Sequence, residues 1–120
     1  EKHQEVYAIV KEAQQRGCNT AKSGVACNVV DASTRDYIKE MGYSEYYTHG
    51  TGHGLGLEIH TSPRFSPQSK SILQVNNVMT IEPGIYIAGW GGVRIEDDVI
   101  INEDDCEVLN KTTKDLVVLN

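Results

Sequence analysis

The sequence has 120 residues, enough for one domain with a hydrophobic core, and its 39% hydrophobic and 23% charged residues are typical of a soluble globular protein. A formal net charge of −6 argues against nucleic acid as a partner, because phosphate binding requires a basic face. No apolar run has the length of a membrane span, and the charged N-terminus does not resemble a signal peptide. Three cysteines without CxxC spacing indicate reduced thiols, so we expect a cytoplasmic protein that binds neither nucleic acid nor membrane.

Two amphipathic helices are predicted at the start of the chain. In the first, Val6, Ile9, Val10 and Ala13 recur at the spacing of one helical face, and Gly17 is a plausible end. Residues 17–28 are rich in Gly, Ser, Asn and Thr and predict a loop.

The second helix is predicted to begin at a capping residue, Asp31 or Ser33, and to end at about Met41, with Gly42 just beyond it. The residues expected on its inner face are Tyr37, Ile38 and Met41.

Strands are predicted after the helices. Leu55, Leu57 and Ile59 alternate with other residues and predict a short strand, and residues 63–77 predict a long loop. Further strands are predicted at 78–81, 85–88, 93–101, 107–109 and 116–119, with a turn at 90–92. Helices followed by antiparallel strands favour an α+β fold.

The most informative stretch is residues 49–60, His-Gly-Thr-Gly-His-Gly-Leu-Gly-Leu-Glu-Ile-His. It contains three of the four histidines, His49, His53 and His60, interleaved with four glycines. Imidazole is the commonest metal-ligating side chain and carries protons near neutral pH. Glycine allows a metal or substrate to approach the backbone closely. The stretch therefore predicts a functional site.

Two glutamates downstream can complete this site. Side chains alternate faces along a strand, so Arg94 and Glu96 should point the same way, away from an apolar face formed by Val93, Ile95, Val99 and Ile101. Glu82 should share a face with Thr80, so two adjacent strands can direct both carboxylates at one point. Two carboxylates and an imidazole suit Mn, Co, Fe or Zn, and a carboxylate can bridge two metals that activate water.

Each motif has a simpler interpretation as well. Glu96 begins an acidic run that can be merely solvated, and Glu82 precedes Pro-Gly and can be a turn residue. The glycine-rich backbone can bind an anion, although no lysine or arginine adjoins it. Cys27 has no histidine nearby in sequence, so nucleophilic catalysis has little support.

Together these residues closely resemble the C-terminal half of the Xaa-Pro peptidase family, the aminopeptidase P and prolidase-type metallopeptidases of the pita-bread fold. Residues 49–60 are similar to the family's proline-peptidase signature, and residues 79–87 and 92–97 resemble its two carboxylate strands. The resemblance covers most of the chain. It implies half of a pita-bread fold, α+β, with two helices packed on a curved, mainly antiparallel sheet, and it makes residues 1–120 the C-terminal portion of the catalytic domain.

The resemblance also implies the metal ligands. His53 would ligate a metal, Glu82 would ligate one metal and act as general acid/base, and Glu96 would bridge two. The cofactors would be two divalent ions, Mn or Co in the first place and Zn or Fe as alternatives.

For the substrate, the resemblance implies that His49 and His60 line the pocket and stabilise charge on the scissile carbonyl oxygen. Arg94 would hold the carboxylates in position.

The chain departs from the family pattern at two points. Thr61 stands where the signature has Asp or Glu, which bears on substrate preference. The family site has five ligands, of which two are aspartates on an upstream strand. Asp31 and Asp36 lie on a predicted helix without sharing a face, so they do not match. We therefore expect both aspartates to precede Glu1, which makes the chain a fragment that is metal-poor and inactive by itself.

The function implied for the parent protein is hydrolysis of the peptide bond before proline, in Xaa-Pro dipeptides or longer peptides. The alternatives are a methionine aminopeptidase, a non-catalytic pita-bread module that binds peptides or proteins, and a metal-free amidinohydrolase of the creatinase type. His49 favours the proline branch, and retained metal ligands count against the last two. Half of a pseudo-symmetric fold leaves a sheet edge and an apolar face uncovered, so we also expect a homo-oligomer.

Overall fold

The computed structural model describes residues 1–56 and 61–119. Helices α1 (Lys2–Thr20) and α2 (Cys27–Glu40) come first, followed by a short 3-10 helix at Ser44–Tyr46. Strands of the described residues are β1 (Gly52–Gly54), β2 (Thr61–Phe65), β3 (Val78–Ile81), β4 (Gly84–Ile87), β5 (Gly91–Arg94), β6 (Asp97–Ile101) and β7 (Cys106–Val108). The order confirms the α+β prediction. In the described part of the chain, every helix is too short or too polar to cross a membrane.

Five of the strands form one antiparallel sheet in the order β2-β1-β3-β6-β7, and β4 and β5 form a separate hairpin. The centre of the large sheet is the pairing of β3 with β6, in which Ile81 lies opposite Asp97. Strand β1 pairs with β3 at a single position, Gly54 opposite Met79. The short glycine-rich β1 is therefore held between two longer strands, next to the end of β3.

Helix α1 buries the predicted stripe, since Val6, Ile9, Val10 and Ala13 are all buried. The predicted end at Gly17 is wrong, because the helix continues to Thr20. A Cβ at Gly17 would lie 2.9 Å from methyl groups of both Thr34 and Ile81. The glycine therefore serves close packing of α1 against α2 and the sheet, and does not terminate the helix.

Helix α2 begins earlier than predicted, at Cys27, and neither Asp31 nor Ser33 caps it. The predicted loop at 17–28 is therefore shortened from both ends. The predicted termination holds, since Gly42 has a φ of 90°. Of the predicted inner face, Ile38 is buried and Tyr37 is partly buried, but Met41 is 43% exposed. The buried face is instead set by the earlier start of the helix and includes Val30, Asp31 and Thr34.

Three of the strand predictions are correct. Strands at 78–81, 85–88 and 107–109 are confirmed to within one residue at each end. The strand predicted at 55–59 falls largely on residues 57–60, which lie outside the described residues, whereas β1 lies just before it. No strand is assigned at residues 116–119.

Two strand predictions need correction. Residues 63–77 are not wholly a loop, because β2 includes Pro63; as the edge strand of the sheet, β2 can accept a residue that has no N–H to donate. The strand predicted at 93–101 is broken at Ile95 and Glu96, so that β5 joins the hairpin and β6 joins the sheet. The apolar face of β6 is as predicted, with Val99 and Ile101 fully buried.

Two apolar clusters stabilise this arrangement. One packs α2 on the five-stranded sheet and includes Val30, Phe65, Met79 and Ile101. The other packs α1 on the hairpin and includes Val10, Ile38 and Ile85.

Candidate active site

The two glutamates lie at the open ends of neighbouring strands. Glu82 follows β3 directly and Glu96 precedes β6 directly. Because Ile81 lies opposite Asp97 in this antiparallel pair, the next step of the same register places Glu82 opposite Glu96. Burial is the first cause that raises the pKa of the Glu96 carboxyl, and the neighbouring charge of Glu82 raises this pKa further. The broken strand therefore still brings the two carboxylates together.

His53 comes from β1 and faces Glu82. Its Nδ1 lies 2.9 Å from the carbonyl oxygen of Gly54, and a carbonyl can only accept, so Nδ1 carries the proton. In a neutral ring Nε2 then has the lone pair, and Nε2 lies 3.3 Å from Oε2 of Glu82. The backbone of His53 is fixed as well, because its N–H donates to Oγ1 of Thr80 at 3.1 Å.

The Oε2 atom of Glu82 is buried and has no hydrogen-bond partner among the described residues. It lies 3.3 Å from Nε2 of His53, so with a neutral imidazole two acceptors point at each other. Such a pair requires a proton or a metal cation between its members. A buried carboxylate oxygen left in this state fits a cation ligand, and imidazole with carboxylate is a donor set for Mn, Co, Fe or Zn.

His49 is held by two hydrogen bonds. Nδ1 lies 2.7 Å from the carbonyl oxygen of Gly50 and so acts as the donor, which leaves Nε2 to accept from the Tyr86 hydroxyl at 2.7 Å. A separate hydrogen bond, between Arg94 and Tyr86, is the first cause that raises the pKa of the Arg94 guanidinium. The hairpin thus orients a histidine of the glycine-rich segment, a contact that the sequence did not reveal.

A cavity of about 360 Å³ opens beside these groups. The side chains lining it are His49, His53, Arg64, Ser66, Glu82 and Arg94. Arg64 and Ser66 belong to no recognised motif, and both lie in residues 63–77, which are predicted to be a loop. The strand register explains the position of Arg64, which lies opposite His53 in the pairing of β1 with β2.

Arg94 and Glu96 form a loose ion pair. Nε of Arg94 is 3.9 Å from Oε1 of Glu96, and both side chains are substantially exposed. His60 lies outside the described residues. Across residues 1–56 and 61–119, no group of three His, Cys, Asp or Glu side chains is arranged to hold a metal ion. The described site therefore consists of a close His53–Glu82 pair with Glu96 beside it.

Solved structures have this same architecture. The Xaa-Pro dipeptidase from Bacillus anthracis is 51% identical, with a TM-score of 0.97 over 99% of this chain and 34% of that one. The X-Pro aminopeptidase from Thermotoga maritima MSB8 is 43% identical, with a TM-score of 0.95 over 99% of this chain and 34% of that one. Two helices on a mostly antiparallel sheet, with a histidine and two glutamates at its open end, therefore define part of a pita-bread fold of the prolidase and aminopeptidase P type.

The sequence comparisons specify the family. The Xaa-Pro dipeptidase from Pyrococcus furiosus is 49% identical over 117 residues, which are 98% of this chain and 34% of that relative. The model of metallopeptidase family M24 matches residues 1–103. The chain belongs to metallopeptidase family M24, and it spans about a third of the length of the relatives it matches.

Proposed function

We propose that this chain is part of a metal-dependent exopeptidase that hydrolyses the bond between an N-terminal residue and proline. The observation that carries the proposal is the buried Oε2 of Glu82, which has no hydrogen-bond partner among the described residues and faces Nε2 of His53. The names of the similar proteins, Xaa-Pro dipeptidase and X-Pro aminopeptidase, support the substrate class.

His53, Glu82 and Glu96 are proposed as metal ligands, with manganese or cobalt as the first candidates. Bound divalent metal would supply a water molecule activated for attack and a Lewis acid for the carbonyl oxygen. Glu82, beside His53, would serve as the general acid/base that accepts and returns a proton. Burial first, and then the neighbouring charge of Glu82, raise the pKa of Glu96, and a bound cation would stabilise both carboxylates.

The substrate is proposed to occupy the 360 Å³ cavity. His49 would orient the peptide, because its ring is already fixed between Gly50 and Tyr86. Arg94 and Arg64 place two cations at the cavity wall, where they can bind carbonyl or carboxylate oxygens of the peptide. His60 is proposed as a second substrate-orienting group on the basis of the sequence alone.

We further propose that residues 1–120 are the C-terminal portion of the catalytic domain and that two aspartate ligands come from outside this chain. The length of the relatives supports this, since the chain covers 34% of the Pyrococcus furiosus protein. The 120-residue chain by itself should then bind divalent metal weakly and lack peptidase activity, because a site with an incomplete ligand set loses affinity.

The test uses the full-length protein that contains this chain. Xaa-Pro dipeptides, longer Xaa-Pro peptides and Met-Xaa peptides are assayed after dialysis against chelator and after addition of Mn²⁺ or Co²⁺. We expect metal-dependent release of the residue before proline, and Glu82→Gln should abolish both metal retention and turnover. Turnover of Met-Xaa peptides alone would identify a methionine aminopeptidase, and peptide binding without hydrolysis would identify a binding module.

Assembly and location form part of the proposal as well. We infer self-association, supported by the uncovered outer strands β2 and β7 and by the exposed apolar residues Leu116, Val117, Val118 and Leu119. A concentration-independent monomer in sedimentation experiments on the chain would contradict it. A cytoplasmic location is supported by the free thiols of Cys18, Cys27 and Cys106.

A further inference from the structure

An ion pair outside the cavity connects helix α2 to the backbone of the glycine-rich segment at His49. Asp31 is 1% exposed, and its Oδ2 accepts from Nε of Arg35 at 2.8 Å while its Oδ1 accepts from Nη2 at 3.1 Å. Arg35 also donates from Nη2 to the carbonyl oxygen of His49 at 2.9 Å. The guanidinium therefore fixes the backbone at the start of the segment that carries His49 and His53.

Asp31 holds the middle of the same segment through Thr51. Its Oδ1 accepts from the Thr51 N–H at 3.1 Å and from the Thr51 hydroxyl at 2.8 Å. Because that hydroxyl donates to the carboxylate, it accepts from the hydroxyl of Tyr47, 2.7 Å away. The side chain of Thr51 is thus locked in one orientation by a buried, directional set of hydrogen bonds.

Thr51 is also hydrogen-bonded to Glu82, a proposed metal ligand. Its carbonyl oxygen accepts from the backbone N–H of Glu82 at 2.6 Å. Thr51 therefore connects the Asp31 carboxylate of the helix to the backbone of Glu82. The Arg35–Asp31–Thr51 path therefore acts on the substrate-orienting histidine at one end and on Glu82 at the other.

We propose that Asp31 and Arg35 are positioning residues for the active site, which act on His49 through its carbonyl group and on Glu82 through Thr51. This inference rests on the proposed function for its effect on turnover, but the geometric part stands independently of it. Outer hydrogen-bond partners of this kind typically change activity or metal affinity by about 10-fold to 100-fold when they are removed.

Two variants of the full-length protein remove the pair in different ways. Asp31→Asn keeps the size of the side chain but places an NH2 group among the donors of Arg35 and Thr51, so at least one hydrogen bond must break. Arg35→Lys keeps the charge, yet one ammonium group cannot reproduce the fork that reaches Asp31 and His49 together. Arg35→Lys is the milder variant and serves where Asp31→Asn folds poorly.

Glu12→Gln is the matched control. Glu12 also pairs with an arginine four residues away on a helix, Arg16, at 2.8 Å, but both side chains are about half exposed and lie on α1. We expect this variant to match the wild type in every measurement.

The first measurement is amide hydrogen exchange of the folded proteins, read in peptides that cover residues 47–56, 78–84 and α1. We expect Asp31→Asn and Arg35→Lys to exchange faster than wild type in the first two regions and equally in α1. The second measurement is steady-state kinetics with an Xaa-Pro substrate, where kcat should fall about 10-fold to 100-fold with a small change in KM.

The positioning role is refuted when exchange in residues 78–84 stays at the wild-type rate in both variants. It is also refuted when exchange rises uniformly through α1, which indicates a purely structural role, or when kcat is unchanged in an active enzyme. A wild-type protein that lacks Xaa-Pro hydrolysis overturns the proposed function, and hydrogen exchange alone then decides the positioning role.

Discussion

Replacing Lys114 with methionine tests whether a buried carboxylate beside the active site depends on one cation. Asp97 is 3% exposed, and its Oδ2 accepts from Nζ of Lys114 at 2.9 Å and from Nε2 of Gln14 at 2.8 Å. Lys114→Met preserves the aliphatic stem but leaves the carboxylate with an amide as its remaining partner. The variant isolates the loss of charge from the loss of packing.

The expected magnitude follows from the burial of the pair. Removing one partner of a buried ion pair costs about 3 to 5 kcal/mol, and the 28% exposure of the Lys114 side chain favours the lower end, about 3 kcal/mol. With a urea m-value of about 1.5 kcal/mol/M, the unfolding midpoint should fall by about 2 M. Urea unfolding followed by circular dichroism, at one fixed protein concentration, measures this shift.

Two further variants make the result interpretable. Lys11 also ties the C-terminal segment to α1, through Asp115 at 2.6 Å, but this pair is exposed and Lys11→Met should leave the midpoint nearly unchanged. The double variant Lys114→Met with Asp97→Asn removes both charges and should recover most of the lost stability. The reasoning is refuted when Lys114→Met and Lys11→Met shift the midpoint equally, or when the double variant is no more stable than Lys114→Met.

Three other predictions concern single side chains. A Cβ on Gly52 would collide with the backbone oxygen of Thr80, so Gly52→Ala should displace β1 from β3 and lower stability by about 1 to 3 kcal/mol in urea unfolding; an unchanged midpoint would contradict this packing. A hydrogen bond from Cys18 lowers the pKa of the Cys106 thiol, so iodoacetamide should label Cys106 before Cys18 in peptide mass spectra, and the reverse order would refute the assignment. Burial raises the pKa of Tyr47 to about 12. The neutral phenol is therefore favoured by folding, full stability is present below pH 10, and roughly 2 to 3 kcal/mol should be lost between pH 10 and 12. Tyr47→Phe should flatten this loss in urea titrations at pH 9 and 11.5, and an equally steep loss would show that another group is responsible.

Sequence patterns predicted the elements whose formation depends on residues close together in the chain. The apolar stripe on α1 is periodic, and burial of that face is what the period predicts. The pairing of the two glutamates was also predictable, because the strands that they flank, β3 and β6, are adjacent and antiparallel. The glycine-histidine spacing and a family resemblance point to His53, whose Nε2 lies 3.3 Å from Oε2 of Glu82.

The features that local patterns could not predict depend on packing between elements that are distant in sequence. Gly17 has the composition of a helix end, yet it continues the helix because Thr34 and Ile81 need the space. Asp31 does not match the upstream ligands, and its partners are Arg35 and a threonine twenty residues away in sequence. Neither contact leaves a periodic signal, since each depends on how separate elements meet.

The buried carboxylates of the described residues differ in the partners that surround them. Asp31 is paired with Arg35 and Asp97 with Lys114, so each has a cation supplied by the chain itself. Glu82, with 17% side-chain exposure, has an oxygen for which the described residues supply no hydrogen bond, and His53 faces that oxygen. Leaving a buried carboxylate oxygen uncompensated costs stability, so folding alone gives no reason for it. A cation between His53 and Glu82 would compensate the oxygen, and metal added to the full-length protein should therefore raise its stability as well as its activity.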